Sequence, residues 1–169
     1  RVQVPVYVDT EANLGGLAEL RAGAARGSRS ALFVRVGYSI GGSLLIGGSP
    51  YRGHGGRAGE IGHVCLDPRG PLCACGNRGC LEAITGGPAL LELFRDDPGI
   101  QRLRDLLLRA EAGDPGAIRA IADAGRSIGK AAATVVTLFD PELIVIGGEL
   151  AEAGELLLAP LRHSLENSA

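Results

Sequence analysis

The residues best equipped for chemistry lie in one stretch of this 169-residue chain. His63 is followed by Cys73, Cys75 and Cys80, a spacing of His-x9-Cys-x-Cys-x4-Cys. Three soft thiolates and one imidazole make a closed tetrahedral donor set, the kind that structural zinc prefers. Gly76 and Gly79 lie between the ligands and allow the tight folding that would bring three sulfurs onto one ion. Reduced, unligated cysteines or disulfides are the competing reading. A Cys-x-Cys pair suits an internal disulfide poorly, and disulfides leave the neighbouring histidine unexplained. Cys65 stands outside the set and reads as a small buried hydrophobe.

Two carboxylates, Glu60 and Glu82, bracket the cluster. Fixed beside a metal-organised loop, they could accept hydrogen bonds from hydroxyl groups, which is how sugars are oriented. His63 could bind zinc through one ring nitrogen and donate to a ligand hydroxyl through the other. Each glutamate taken singly reads equally well as a solvated or helix-capping residue.

The elements around these residues read as α/β. The alternation over Val2–Val8 predicts a strand, and Asp9-Thr10-Glu11 supplies capping chemistry for a helix to about Leu20. Leu32–Val36 and Ile40–Ile46 read as strands, the second ending at the Gly47-Gly48 turn. Glycine density from Ser49 to Gly62 predicts an ordered loop with no helix. His63–Leu66 reads as a short strand, and a helix begins at Leu81-Glu82. Gly86-Gly87-Pro88 breaks the chain before helical stretches over Ala89–Phe94 and Gln101–Ala112. Asp114-Pro115 opens a long, Ala-rich, weakly amphipathic helix to about Phe139, expected to be buried on most sides. Glu142–Ile146 reads as a buried strand. Gly147-Gly148 leads into a last helix to about Glu166. No internal repeat or low-complexity segment interrupts this order.

Composition narrows the partners. Nineteen acidic against seventeen basic residues give a net charge of −2, with no general attraction to nucleic acid or anionic membrane. Apolar runs such as Leu143–Ile146 are far too short to span a bilayer, so no membrane partner is expected. The chain has 27 glycines, well above the usual share of roughly 7%, yet 46% of its residues are hydrophobic. Ordered turns and close backbone approaches are therefore expected, not a flexible tail. The absence of methionine, with Arg1 at the start, reads as part of a longer polypeptide.

Gly59-Glu60-Ile61-Gly62-His63 followed by Cys73-Ala74-Cys75-Gly76-Asn77-Arg78-Gly79-Cys80-Leu81-Glu82 resembles the signature of the ROK family (repressors, open reading frames and sugar kinases). Val8-Asp9-Thr10-Glu11-Ala12-Asn13 resembles the family's Val-Glu-Asn-Asp-Ala-Asn segment. Gly37-Tyr38-Ser39-Ile40-Gly41-Gly42-Ser43 resembles its Gly-Thr-Gly-Ile-Gly-x-Gly phosphate loop. Tyr51-Arg52-Gly53 and Asp140–Gly148 are similar to further family segments.

The resemblance implies an actin-like, hexokinase-like ATPase fold of the ribonuclease H-like type, here chiefly its C-terminal lobe with a structural zinc loop. Residues 1–22 would be the end of the first lobe with an inter-lobe helix, and residues 23–169 the sugar- and zinc-binding lobe. A DNA-binding winged helix and most of the first lobe would precede the chain. The resemblance assigns sugar binding to Thr10, Glu11, Glu60, His63 and Glu82, and zinc to His63, Cys73, Cys75 and Cys80. It assigns a vestigial nucleotide side to Gly37, Gly41, Gly42, Gly147 and Gly148. A cytoplasmic homodimer or tetramer that binds a monosaccharide or amino sugar is the implied setting.

The departures from the family pattern separate two functions. Family kinases have Asn-Asp where Thr10-Glu11 stands, the Asp being the general base, and a base must lie within hydrogen-bond reach of the proton it removes. Ser39 and Ser43 stand where those kinases have glycine, which lets backbone N–H groups approach phosphate. The family's Asp-x-Gly-Gly-Thr motif does not occur. These features favour the sugar-sensing part of a ROK transcriptional regulator, reaching DNA through the winged helix. A fragment of an ATP- and Mg2+-dependent sugar kinase, with Glu11 as a degenerate catalytic base, is the alternative. A structural zinc domain without a ligand is the third.

Overall fold

The structure is a computed structural model that describes residues 3–168. Four strands, β1 (Ser30–Val36), β2 (Ile40–Ile46), β3 (Ser49–Tyr51) and β4 (Leu143–Gly147), form one sheet in the order β3-β2-β1-β4. β1 and β2 form an antiparallel hairpin, with Ser30 opposite Ile46 and Val36 opposite Ile40. β4 runs parallel to β1, Ala31 opposite Leu143 and Arg35 opposite Gly147. A parallel neighbour requires a long crossover. The helices α2 (Leu81–Thr85), α3 (Gly87–Glu92), α4 (Leu103–Glu111) and α5 (Pro115–Phe139) supply it.

Alternate residues of β1 divide the core into two layers. Leu32, Val34 and Val36 join the larger cluster with Leu106, Ile121, Ile128 and Leu157. Ala31 and Phe33 face the other way, into a smaller cluster with Ala25 and Leu45. Helix α1 (Glu11–Ala22) covers that second face: a Cβ on Gly15 would sit 2.6 Å from the Phe33 ring, and one on Gly16 about 3.0 Å from Ser43 and Leu45. The result is a three-layered α/β arrangement.

Helix α5 starts where Asp114 accepts a 2.9 Å hydrogen bond from Ala117 N and Pro115 fills the first turn. It ends at Asp140, which adopts a left-handed φ of 42°. It pairs with α6 (Glu155–Glu166), whose Leu157 and Leu161 carbonyls press on Gly125 and Gly129 so closely that any Cβ there would overlap them.

Several expectations change. The strand expected over Val2–Val8 does not form: residues 3–8 belong to no sheet, and Val4, Val6, Tyr7 and Val8 are exposed. No neighbouring strand lies beside them among the described residues, so their backbone polar groups stay with water. Val2 itself lies outside the described residues. The Gly-rich stretch contains the three-residue β3, and Ile61–His63 forms a single 3-10 turn. The short strand expected at His63–Leu66 reduces to one bridge, Cys65 to Cys80. Helix α5 buries one face only, and its end, Leu138 and Phe139, is exposed. Strand β4 is half-buried because it lies at the sheet edge.

Candidate metal centre and ligand cleft

The chain between Val64 and Leu81 has little apolar content with which to fold on itself: Leu72 is exposed and Leu66 only half-buried. It is drawn in by backbone contacts. Cys73 N donates to Asn77 O at 2.8 Å, Gly76 N to Cys73 O at 2.9 Å, and Leu66 N to Gly79 O at 2.8 Å. Gly79, at φ 64°, passes so close to the Asp67 carbonyl that a side chain would overlap it. Cys80 then begins α2 as its N-cap residue.

This path brings His63, Cys73, Cys75 and Cys80 together, with one ligand atom from each lying within 4.8 Å of all the others. The His63 Nδ1 to Cys73 Sγ distance is 3.6 Å, and Cys75 Sγ to Cys80 Sγ is also 3.6 Å. Tetrahedral bonds of about 2.3 Å to sulfur and about 2.0–2.1 Å to nitrogen require edges of about 3.6–3.8 Å. Two of the six donor–donor edges thus have the length of a zinc tetrahedron's, and the others lie within 4.8 Å. Burial, then the neighbouring thiols, push the Cys80 thiol up to about 12. The backbone N–H of Asn77, foremost, draws Cys75 down. Thiols crowded in this way ionise together only if a cation offsets their charge. Cys65 departs from its expected burial: it is exposed, with Sγ 3.3 Å from Arg78 O, and it stands outside the donor set.

Directly beside the metal set is a cleft of about 260 Å³. Thr10, Glu11, Glu60, His63 and Glu82 all line it, so the fold gathers every residue to which the resemblance assigned sugar contact. Each comes from a different local device. Thr10 caps α1 by accepting from Asn13 N at 3.1 Å, which sets Glu11 in the first turn. Glu60 precedes the 3-10 turn that presents His63. Glu82, in the first turn of α2, accepts from Ile40 N at 2.9 Å and is thereby tied to the start of β2. With Nδ1 of His63 facing the sulfurs, Nε2 is the nitrogen left for a ligand.

Glycines let these pieces meet. Cβ atoms on Gly42 or Gly59 would lie 2.6 Å from the other residue's carbonyl oxygen, and one on Gly62 would overlap Ile40 O. The loop carrying Glu60 and His63 thus rests on the β2 backbone itself. Gly41 admits Ala12, whose Cβ would be 3.2 Å away. Gly37, Gly147 and Gly148 are not lining residues of this cleft. Gly148 (φ 93°) abuts Val36, Gly37 approaches Glu149, and Gly147 packs on the Phe33 ring.

One residue that the sequence reading did not single out, Arg35, lines the cleft, and Asp9 holds the helix start beside it. Arg35 lies on the α1-facing stripe of β1; its Nη2 is 3.0 Å from Glu11 Oε2 and its Nη1 3.3 Å from Ser39 Oγ. The sequence signal was a lone charged residue within an apolar strand, which needs a partner. Asp9 anchors the start of α1. It accepts from Asn13 Nδ2 at 2.7 Å, Thr10 N at 2.8 Å and Arg52 Nε at 2.8 Å. The Asn13 amide, foremost, and then Thr10 and Arg52 hold its carboxyl below the ordinary aspartate range.

Ser43 is wholly buried and donates to Asn13 Oδ1 at 2.9 Å. It therefore belongs to the α1–sheet interface, whereas Ser39 lies at the turn where phosphate contact was expected.

Comparison with known proteins decides the family. The ROK family profile matches residues 1–169. This chain belongs to the ROK family. It is 36% identical over 177 residues to a putative xylose repressor of Caldicellulosiruptor, covering 96% of this chain and 44% of that protein. A crystal structure of a Streptomyces griseus ROK glucokinase in complex with glucose and AMPPNP superposes with a TM-score of 0.87 at 32% identity, covering 97% of this chain and 58% of that one. A ROK transcriptional regulator, homolog of the E. coli MLC protein, superposes with a TM-score of 0.88 at 29% identity, covering 98% of this chain and 45% of that one. The fold is the hexokinase-like, actin-like ATPase fold of these ROK structures. The chain spans about half the length of the curated relatives it matches. Repressors and kinases are both among the proteins it resembles. Among the described residues no helix is long and apolar enough to cross a membrane.

Proposed function

We propose that this chain is the sugar-binding body of a ROK transcriptional regulator, with a structural zinc at His63, Cys73, Cys75 and Cys80. The observation that carries this reading is the Arg35 bridge. At the kinase-base position the Glu11 carboxylate is held at 3.0 Å by Arg35, and the same guanidinium reaches Ser39 in the phosphate turn. A general base must present its oxygen to the hydroxyl it deprotonates. Here an oxygen of the only carboxylate at that position is engaged by a cation. Ser39 adds a Cβ where phosphate would approach the backbone.

In this reading Glu60 and Glu82 accept hydrogen bonds from sugar hydroxyls and His63 Nε2 donates one. Thr10 and Glu11 close the opposite wall. Zinc, when bound, fixes the loop and the His63 ring and makes no bond to the sugar. Residues 1–22 belong to the end of the first lobe with its linking helix, and 23–169 to the second lobe. Sugar binding shifts the population between lobe arrangements in a cytoplasmic dimer or tetramer and so changes how winged helices preceding this chain meet DNA.

The kinase fragment, using ATP and Mg2+ with Gly37, Gly41, Gly42, Gly147 and Gly148 on the nucleotide side, is the second reading. It is favoured by one observation, a carboxylate at position 11 lining the same cleft as Glu60, His63 and Glu82. A coupled assay with ATP and a panel of sugars separates the two, run on the full-length protein that carries this chain. Sugar binding by calorimetry without turnover supports the regulator, and steady phosphorylation of any sugar overturns it.

A further inference from the structure

A second cleft of about 490 Å³ adjoins the first and shares two of its wall residues, Ser39 and Glu82. It runs between the metal loop and the start of α3, with Tyr38 and Leu72 on one part of its wall and Pro88, Ala89 and Glu92 on another. Apart from Ser39, Glu82 and the metal-set residue Cys73, its wall residues have no part in the zinc or monosaccharide reading.

Tyr38 is 70% exposed, yet its backbone is held rigidly. Gly87 N donates to Tyr38 O at 3.0 Å, and a Cβ on Gly87 would lie only 2.8 Å from Tyr38 Cα. A solvent-facing aromatic ring on a pinned turn is a platform whose backbone is in place before a ligand arrives, leaving only the side-chain rotamers to be ordered. Its π face is electron-rich and suits the slightly positive C–H face of a pyranose ring. The wall of the cleft also offers carboxylates, Glu82 and Glu92, for hydroxyl groups. No Arg or Lys lines it among the described residues, which disfavours a phosphate-bearing ligand.

From this continuity we infer that the cleft beside Tyr38 is a second carbohydrate subsite, so the ligand is a glycoside or disaccharide with one ring in each cleft. The inference rests on the sugar reading of the first cleft, and its test separates the two. The full chain is titrated by calorimetry with glucose against maltose and cellobiose, N-acetylglucosamine against chitobiose, and xylose against xylobiose. At least one disaccharide should bind about tenfold or more tightly than its monosaccharide. Tyr38→Ala should remove that increment while leaving monosaccharide affinity unchanged, and Tyr38→Phe should retain it. Ala89→Trp, which fills the cleft from the other wall, should also remove it. If a monosaccharide binds and every disaccharide binds no better, the subsite is refuted while the first cleft stands. If none of these sugars binds, the reading of the first cleft fails and the subsite falls with it.

Discussion

Replacing Cys75 by serine isolates the contribution of the metal. Cys75 is exposed, so the substitution opens no hole in the core, unlike one at buried Cys73 or Cys80. Structural zinc sites contribute about 10–16 kcal/mol of apparent binding free energy at neutral pH. Shared over the four ligands of this site, the loss of one sulfur is worth roughly 2.5–4 kcal/mol. For a chain of this size each kcal/mol moves the midpoint by about 2–4 °C, so a fall of roughly 5–16 °C is expected. The loop has few apolar contacts of its own to limit the damage, and Glu82 lies only two residues beyond Cys80. The assay is thermal unfolding by circular dichroism, paired with elemental analysis of the purified protein. Wild type should hold about one zinc per chain, and Cys75→Ser should bind it about 100- to 1,000-fold more weakly and give it up first to a chelator. Cys65→Ser, outside the donor set, should stay within about 0.5 kcal/mol of wild type. The disulfide alternative gives the opposite pattern. If a reductant lowers the midpoint and a chelator does not, or if Cys75→Ser keeps both its zinc and its midpoint, the metal argument is refuted.

Three further outcomes follow from particular contacts. Ser43→Ala should destabilise the chain by about 1–3 kcal/mol in urea unfolding, because it leaves the buried Asn13 oxygen without its donor. Glu82→Gln should weaken sugar binding roughly tenfold or more in calorimetry through loss of a charge-assisted hydrogen bond, with zinc content unchanged. Asp9 has a folded pKa below its unfolded value, so the stability it contributes is present above the unfolded value and lost as pH falls through the folded one. Asp9→Asn should therefore melt below wild type at pH 7, and the gap should close as the pH is taken below the ordinary aspartate range. A gap that widens with acid would contradict the assignment.

The parts of the fold that were legible in the sequence are those built from neighbouring residues. The metal set spans only His63 to Cys80, and its glycines stand where the backbone must turn or meet itself, so spacing alone carried it. Helix α5 announced both ends through Asp114-Pro115 and Asp140-Pro141. What escaped depended on which face of the sheet a residue occupies. Strand β1 is buried on both faces, so its run of apolar residues has no visible alternation and does not say which way Arg35 points. Ser43 was hidden for the same reason on β2, where it faces α1 and not the phosphate turn. The strand expected near the start failed for another reason. Alternating valines mark a pleat only where a partner strand exists, and none is present beside residues 3–8 among those described.

These two hidden residues change the weight of the functional argument. By sequence alone, the substitutions at positions 10, 11, 39 and 43 count as four independent departures from a kinase. Ser43 no longer counts, because its hydroxyl is used within the α1–sheet interface. Glu11 and Ser39, in contrast, cease to be independent: Arg35 joins them across the floor of the cleft. The Arg35 guanidinium touches both the base position and the phosphate turn, so changing either alone leaves its contact with the other. Restoring Asp at position 11 would shorten the side chain and weaken its grip on Arg35, yet the cation would remain beside the new carboxylate. The proposed regulator reading thus rests on the linked pair Glu11 and Ser39, with Thr10 beside them, in the same cleft as Glu60, His63 and Glu82.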